Sequence, residues 1–139
     1  MIATIDSSVL VAAMAREELH HAECMALLNR RNLHLYSHGI PETFSTLTGG
    51  RLAIRYPASQ VVSFLEKDYL PDLKLVELSP KEKIAALQEA ESRGVRGGAI
   101  YDYLHLVAAK KCCAERLYTL DLSHFRAIRR DGDPKILLP

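Results

Sequence analysis

Four carboxylate residues that are far apart in the sequence stand where predicted strands end or predicted helices begin: Asp6, Glu42, Asp102 and Asp121. Carboxylates that meet without a cationic partner repel one another unless some are protonated or a cation lies among them. Oxygen ligands with no histidine or thiolate pair nearby favour Mg²⁺ or Mn²⁺ over zinc. One or two such ions can activate water and offset charge on a scissile phosphate. The four residues therefore suggest metal-assisted hydrolysis of a phosphodiester bond.

The aspartate at position 6 carries the most information, because it directly follows an apolar run at residues 1–5. A carboxylate at the end of a buried strand is partly desolvated, and a buried charge is rarely kept without a partner. Simpler interpretations stay open. Asp6 and Asp121 could each cap a helix, and the helix dipole alone could favour Glu42 near a helix N-terminus.

The elements that position these residues follow from the hydrophobic pattern. Strands are predicted at residues 1–5, 33–37, 73–78, 116–120 and 135–138. Helices are predicted from residue 9 to near residue 29, then at 41–48, 57–65, 80–94 and 98–113. Ser79 and Glu82 form a capping box at the start of the fourth of these helices. We expect Ile84, Leu87 and Ala90 of that helix to face the core.

Short apolar strands that alternate with helices predict an α/β fold, in which a mainly parallel sheet is covered on both faces. The pattern does not give the order of the strands. In open parallel sheets the functional crevice lies beyond the carboxyl ends of the strands. Asp6 and Asp121 each follow a strand, and Glu42 and Asp102 each lie near the start of a helix. We therefore expect all four carboxylates at one edge of the sheet.

Length and composition are those of one globular domain: 139 residues, of which 48% are hydrophobic and 25% charged. The net charge of +1 argues against a protein that coats nucleic acid by bulk electrostatics. A local basic patch is still available in Arg126, Arg129 and Arg130.

Two features bear on location in the cell. The chain has three cysteines, and their odd number and spacing favour a reducing compartment over a disulfide framework or a zinc site. The apolar N-terminal stretch lacks a preceding basic residue and contains Asp6, which is not typical of a signal peptide. We expect a soluble, cytoplasmic protein that does not enter a membrane.

Four segments resemble, in order, the motifs of PIN-domain ribonucleases. They are Ile-Asp-Ser-Ser-Val-Leu at 5–10, His-Gly-Ile-Pro-Glu-Thr-Phe-Ser-Thr-Leu-Thr at 38–48, Ala-Ile-Tyr-Asp-Tyr-Leu-His-Leu-Val-Ala-Ala at 99–109 and Tyr-Thr-Leu-Asp-Leu-Ser-His-Phe at 118–125. Each motif alone is weak, but four in register across nearly the whole chain are a specific match. Within that family, the chain is similar in size to VapC toxins of toxin–antitoxin pairs.

The resemblance implies a three-layer α/β/α sandwich with a central, mainly parallel sheet, formed by residues 1–139 as a single PIN-like nuclease domain. It also implies an endoribonuclease that depends on Mg²⁺ or Mn²⁺, a cognate antitoxin that covers the acidic site, and a homodimer. Asp6, Glu42, Asp102 and Asp121 would be the metal-site carboxylates. Ser7 and Thr119 match hydroxyl positions that support the site by hydrogen bonding.

One position departs from the family pattern. Many relatives carry asparagine where this chain has Asp121, or a further acidic residue where it has His124. This departure makes the role of Asp121 as a direct ligand less secure than the roles of the other three carboxylates. His105 shares a helix face with Asp102, but packing in the core or exposure at the surface is the simpler interpretation of that histidine.

Other functions remain open at this stage. A PIN fold without catalysis would act as a regulatory module that binds RNA or protein, and a PIN nuclease could process RNA in ordinary metabolism. Phospho-acceptor domains and haloacid-dehalogenase-type phosphatases also gather acidic residues at strand ends. Phospho-acceptor domains need an acceptor aspartate after the third strand, where this chain continues into Ser79 and Pro80. The phosphatases need the pattern Asp-x-Asp after the first strand, and Asp6-Ser7-Ser8 lacks the second aspartate. Both classes therefore fit poorly.

Overall fold

The computed structural model describes residues 1–139 and contains one five-stranded sheet, which is parallel throughout. The strands are β1 (Ala3–Ile5), β2 (Leu33–Tyr36), β3 (Lys74–Val76), β4 (Arg116–Tyr118) and β5 (Lys135–Leu137). Their order across the sheet is β3-β2-β1-β4-β5. The predicted parallel sheet is confirmed, and the structure adds the order that the sequence pattern could not give.

Seven α-helices connect and cover the strands: α1 (Ser7–Met14), α2 (His21–Leu28), α3 (Gly39–Thr48), α4 (Ala58–Ser63), α5 (Pro80–Ala90), α6 (Ala99–Lys111) and α7 (Leu122–Ile128). A π-helical segment, Phe64–Tyr69, continues α4, and short 3-10 turns lie at Leu70–Asp72 and Glu91–Arg93. None of the helices combines the length and the apolar character needed to span a bilayer.

The sheet lies between two layers of helices. Alternate residues of one strand enter opposite layers: Leu35 packs with α1 and α2, whereas the next residue, Tyr36, packs with α5, α6 and α7. Leu117 and Tyr118 divide between the two layers in the same way. A smaller cluster joins the far side of α1 to α3 and α4. This is the three-layer α/β/α sandwich that the sequence analysis predicted.

The strand register sets which loops are neighbours at the functional edge. Ile5, the last residue of the central strand β1, pairs with Leu35 on one side and with Tyr118 on the other. The backbone N–H of Asp6 then donates to the carbonyl of Tyr118 over 3.2 Å. The residues that follow β1 and β4 therefore lie side by side.

Two helix predictions need correction. The first helix begins at Ser7, with Asp6 as its N-cap, rather than at residue 9, and it ends at Met14 before a separate α2 instead of continuing to near residue 29. The capping box of Ser79 and Glu82 is confirmed.

The inward face of α5 was predicted wrongly. Ile84 and Leu87 are 56% and 50% exposed, whereas Ala86 is buried. Ala90 packs partly buried against the same cluster as Ala86. Small alanines let α5 approach its neighbours closely, so the two larger side chains remain on the outer side of the helix.

Candidate active site

The most deeply placed acidic group of the edge is Asp6, which is only 4% exposed. It lies at the N-cap of α1, where its carboxylate accepts a hydrogen bond from the backbone N–H of Ser8 at 3.1 Å. The hydroxyl of Ser8 donates to the same oxygen, and the hydroxyl of Thr119 donates to the other oxygen at 2.7 Å. Both carboxylate oxygens are thus held in fixed positions. The N-cap interpretation of Asp6 is correct, and it does not exclude a second role.

The same hydroxyls join α1 to the segment after β4. Ser8 Oγ accepts from the backbone N–H of Leu120 at 3.0 Å, and Thr119 Oγ1 accepts from that of Asp121 at 2.9 Å. This small network fixes Asp121 relative to Asp6 although the two are far apart in the sequence.

The assignment of a supporting hydroxyl to Ser7 is corrected by this geometry. Ser8 is the serine that bonds Asp6, and no side-chain hydrogen bond joins Ser7 to that carboxylate. Ser8 is the second helical residue, whose backbone N–H an N-cap carboxylate ordinarily accepts, and here its hydroxyl reaches the same oxygen.

Asp102 comes from the first turn of α6, and its side chain is 28% exposed. Its pKa is raised to about 6, first by burial and then by the negative charges of Asp6 and Asp121, against the opposing influence of His105 and His124. Because electrostatic repulsion weakens with distance, the effect of Asp6 and Asp121 on Asp102 shows that the three carboxylates lie near one another. The pKa of Asp6 is also raised, because burial outweighs His105 and the hydroxyl hydrogen bonds.

Three side chains approach closely enough to hold one metal ion: Asp102, Asp121 and His124 offer ligand atoms that all lie within 4.8 Å of one another. His124 Nδ1 is 2.9 Å from Asp121 Oδ2 and 3.7 Å from Asp102 Oδ2. The expectation of oxygen ligands with no histidine nearby is therefore wrong. His124 lies one helical turn after Asp121. The sequence analysis noted this position only as a departure from the family pattern, although the i+3 spacing from Asp121 could have indicated that the histidine joins the site.

Glu42 and Asp6 lie outside this group of three. Glu42 is in the first turn of α3 and accepts a hydrogen bond from His105 Nε2 at 2.6 Å. His105 is 3% exposed and packs edge-on against Tyr36, with ring centroids 5.4 Å apart. The interpretation of His105 as a packed histidine holds, but the residue also connects Glu42 to the helix of Asp102.

Gly39 allows α3 to approach closely enough for that contact. A Cβ at this position would lie 2.6 Å from Leu35 Cδ1 and 3.4 Å from His105 Cε1. Leu35 is fully buried, so its side chain has little room to move. The absence of a side chain at Gly39 therefore helps to place Glu42 beside His105.

The donor set fits a divalent cation. Carboxylates from the N-cap of α1, from α3, from α6 and from the start of α7 face the same edge, and the only basic side chains paired with them are the two histidines. The pKa of Asp102 is raised to about 6 by burial and by its negative neighbours, as expected where carboxylates gather without a cation among them. Asp102, Asp121 and His124 could therefore hold an ion at the open side of the edge.

A cleft of about 370 Å³ opens beside two of these residues, Asp102 and His124. The rest of its wall consists of small and apolar residues: Gly94, Gly98, Ala99, Ala127 and Ile128. Nearby, the exposed ring of Tyr101 stacks on His38 with ring centroids 5.1 Å apart. The acidic group is thus open to a substrate at the surface.

Part of the predicted basic patch has structural partners. Arg129 donates to the carbonyls of Asp133 and Pro134, and Arg130 donates to the carbonyl of Ser92. Arg126 is exposed and makes no recorded side-chain hydrogen bond or ion pair. The basic residues near the C-terminus therefore hold that part of the fold together as well as adding charge.

Comparisons with known proteins agree with this architecture. The chain is 28% identical to Ribonuclease VapC27 of Mycobacterium tuberculosis (strain ATCC 25618 / H37Rv) over 111 residues, which are 80% of this chain and 79% of the relative. Its structure resembles that of Mycobacterium tuberculosis VapC20, a sarcin-ricin loop cleaving toxin, with a TM-score of 0.71 at 15% identity, over 95% of this chain and 99% of the other.

A second similar structure is that of VapBC2 from Rickettsia felis bound to a DNA fragment from their promoter. Its TM-score is 0.68 at 19% identity, and the match covers 100% of this chain and 99% of the other. At such identities the structural likeness establishes the fold. The PIN domain family, in addition, matches residues 3–130. A match over that much of the sequence, joined to a parallel sheet with carboxylates at its carboxyl edge, shows that this chain belongs to the PIN domain family.

Proposed function

We propose that the chain is a metal-dependent endoribonuclease that hydrolyses RNA phosphodiester bonds and acts as the toxin of a toxin–antitoxin pair. The observation that carries the proposal is the meeting of carboxylates from separate elements at one open edge, where burial and the charges of Asp6 and Asp121 raise the pKa of Asp102. The similarity to a ribonuclease and to a toxin that cleaves an RNA loop supports RNA as the substrate class.

In this proposal Asp6, Glu42, Asp102 and Asp121 form the metal site, with Mg²⁺ or Mn²⁺ as the ion. Such an ion supplies Lewis-acid stabilisation of charge on the phosphate and lowers the pKa of a bound water. The carboxylate of Asp6 accepts hydrogen bonds from two hydroxyls, which keep its side chain from rotating away from a bound ion. Glu42 is oriented by His105, Asp102 lines the cleft, and Asp121 lies beside it through His124.

The cleft beside Asp102 is suited to an extended, flexible substrate. It is open to solvent and lined by glycine and alanine, so a sugar–phosphate backbone could approach without displacing large side chains. Unpaired RNA offers such a backbone, and its bases stack on exposed aromatic rings. Tyr101, stacked on His38, is placed for that contact.

The proposed partners follow from the same resemblance. We include a cognate antitoxin that covers the acidic edge, since two similar structures are the VapBC2 assembly and a FitAB assembly, each bound to DNA. The proposal also includes a homodimer of this chain. Sedimentation of the purified chain alone checks the homodimer, and sedimentation with the product of an adjacent reading frame checks the antitoxin.

Cleavage of RNA in vitro tests the proposed function. Purified protein with Mn²⁺ or Mg²⁺ should cut a single-stranded RNA internally, and EDTA should stop the reaction. Asp6→Asn and Asp102→Asn should reduce cleavage to background, whereas Asp131→Asn, at an exposed aspartate away from the edge, should not. Metal-independent cleavage, or full activity in both site variants, would reject the mechanism. RNA binding without cleavage would favour the non-catalytic alternative.

A further inference from the structure

His124 lines the cleft together with Asp102, and it is the imidazole in the group that these two residues form with Asp121. It lies on α7, one turn after Asp121, and its Nδ1 is 2.9 Å from Asp121 Oδ2 and 3.7 Å from Asp102 Oδ2. No other hydrogen bond of the ring is recorded, and the side chain is 67% exposed. The ring is therefore directed at the two carboxylates from the solvent side and is not held there by packing.

The spacing of these atoms is that of ligands around one ion. Ligand atoms that each lie about 2.1 Å from a small divalent cation stand about 3–4 Å from one another. The two separations that involve His124, 2.9 and 3.7 Å, fall close to this range, and the ligand atoms of all three residues lie within 4.8 Å of one another. Phe125, the next residue along α7, is fully buried and anchors the helix that presents His124. The group is thus close to a three-ligand arrangement before any ion enters.

A different interpretation treats His124 as a counter-charge that partly neutralises the two aspartates. Ion pairs at such exposed positions contribute little to stability. The two interpretations predict opposite effects on metal binding. A counter-charge competes with a cation, so its removal strengthens binding of every divalent ion. A ligand supplies a bond, so its removal weakens binding, and it does so most for ions that favour nitrogen.

We infer that His124 is a metal ligand together with Asp102 and Asp121, and that its nitrogen gives this chain a preference for Mn²⁺ and similar transition-metal ions over Mg²⁺. Mg²⁺ binds oxygen ligands, whereas first-row transition-metal ions also accept nitrogen, with an affinity that rises along the series from Mn²⁺ to Cu²⁺. An acidic residue at this position would give an all-oxygen site instead. The inference rests on the proposed function because it concerns the same ion.

Binding of metal ions in the absence of RNA tests the inference. The free Mn²⁺ signal in electron paramagnetic resonance gives the Mn²⁺ affinity, and displacement by Mg²⁺ gives the selectivity. His124→Ala should weaken Mn²⁺ binding by about 10-fold or more and Mg²⁺ binding much less. His124→Asp should restore affinity with the preference moved towards Mg²⁺. Ser123→Ala, the exposed neighbour on the same helix, is the matched control.

The outcomes of this experiment distinguish failure of the inference from failure of the proposed function. Equal weakening for both ions, or unchanged or tighter binding in His124→Ala, would overturn the inference. If the wild-type chain binds neither ion, the proposed function and the inference fail together. If it binds Mn²⁺ and cleaves RNA while His124 has no effect on selectivity, only the inference fails. Because His124 is exposed, we expect the variants to fold, and their thermal unfolding checks this.

Discussion

Two adjacent serines at the start of α1 differ in what they contact. Ser8 donates to Asp6 through its backbone N–H and its hydroxyl, and its hydroxyl also accepts from Leu120. Ser7 makes none of these contacts. A carboxylate that has to hold an ion benefits from partners that fix its oxygens, since such outer-shell hydrogen bonds tune metal affinity. The role of a supporting hydroxyl therefore belongs to Ser8.

Ser8→Ala should lower both RNA cleavage and stability. Loss of the bonds that orient Asp6 should reduce metal affinity or cleavage by about 10- to 100-fold, and the unsatisfied groups should cost about 1–2 kcal/mol of unfolding free energy. Ser7→Ala should change stability by less than about 0.5 kcal/mol and leave cleavage near the wild-type rate. Urea unfolding and single-turnover cleavage measure the two effects. Equal effects of the two substitutions would contradict this assignment.

At the same scale, the sequence predicted residue types better than contacts. Asp6 and Asp121 could be identified as candidate site residues because each follows an apolar strand, and this can be seen in the sequence without knowledge of the fold. Whether Ser7 or Ser8 turns towards Asp6 depends on the cap geometry. The contact of His124 with Asp121 is local to the start of α7, but its approach to Asp102 requires α6 and α7 to meet, which happens only in the folded chain. This approach was therefore not predicted.

Among the elements, α6 has the clearest electrostatic effect. It brings Asp102 to a place where the charges after β1 and β4 act on it, and its pKa is raised to about 6 by burial and by those charges. In the folded state the carboxylate therefore keeps its proton at pH values where the unfolded chain has lost it. Without a metal ion, stability should fall as the pH rises from about 4 through 6.

Asp102→Asn should therefore stabilise the protein in EDTA while abolishing metal-dependent cleavage. The gain in unfolding free energy at pH 7 should be about 1–3 kcal/mol, and it should shrink towards zero below about pH 3, where the wild-type carboxyl is protonated in both states. Thermal and urea unfolding at several pH values measure it. A loss of stability in the variant at pH 7, or a difference that does not change with pH, would contradict the electrostatic account.

The elements themselves were predicted from local patterns, with limits that have physical causes. Apolar runs located all five strands to within a few residues. The signal is clearest for the central β1, which is buried at every residue, because a strand buried on both faces must be apolar throughout. The inward face of α5 was wrong, since Ile84 and Leu87 remain outside while Ala86 packs inward. Helical periodicity assigns the most hydrophobic residues to the buried face. In α5 the buried face instead carries small residues, because the helix packs closely against its neighbours.

In the molecule as a whole, Asp133 ties the C-terminal strand to the helices of one layer. It is 6% exposed and pairs with Arg93 at 2.8 Å and Lys110 at 3.0 Å. The backbone N–H of Arg130 also donates to it at 3.0 Å. Burial alone would raise the pKa of Asp133, but these hydrogen bonds and charges outweigh burial and lower it. This residue has no proposed role in chemistry.

Asp133→Asn should destabilise the fold without removing any site residue. It leaves the largely buried Arg93 without its anionic partner, which should cost about 3 kcal/mol of unfolding free energy at pH 7. Because the pKa is lowered in the folded state, the wild-type advantage should be present above about pH 4 and be lost as the pH falls further. Asp131→Asn, at an exposed position two residues away, is the matched control in urea unfolding. Equal stability of the two variants would contradict this role.

At this scale the sequence indicated a parallel sheet but not its order. The order β3-β2-β1-β4-β5 places β1 in the centre, and only then do Asp6 and Thr119 become neighbours. Strand order depends on how helices pack over both faces, which no local pattern contains. The prediction that the carboxylates converge needed only the rule that parallel strands end at one edge.

The location of a bound metal ion tests the central claim most directly. Crystals of the protein grown or soaked with Mn²⁺, measured near the manganese absorption edge, should show an anomalous peak at the acidic edge. The account predicts that Asp102 and at least one further carboxylate of Asp6, Glu42 and Asp121 coordinate the ion. An anomalous peak elsewhere on the molecule, or none at the edge at a concentration that supports RNA cleavage, would contradict it.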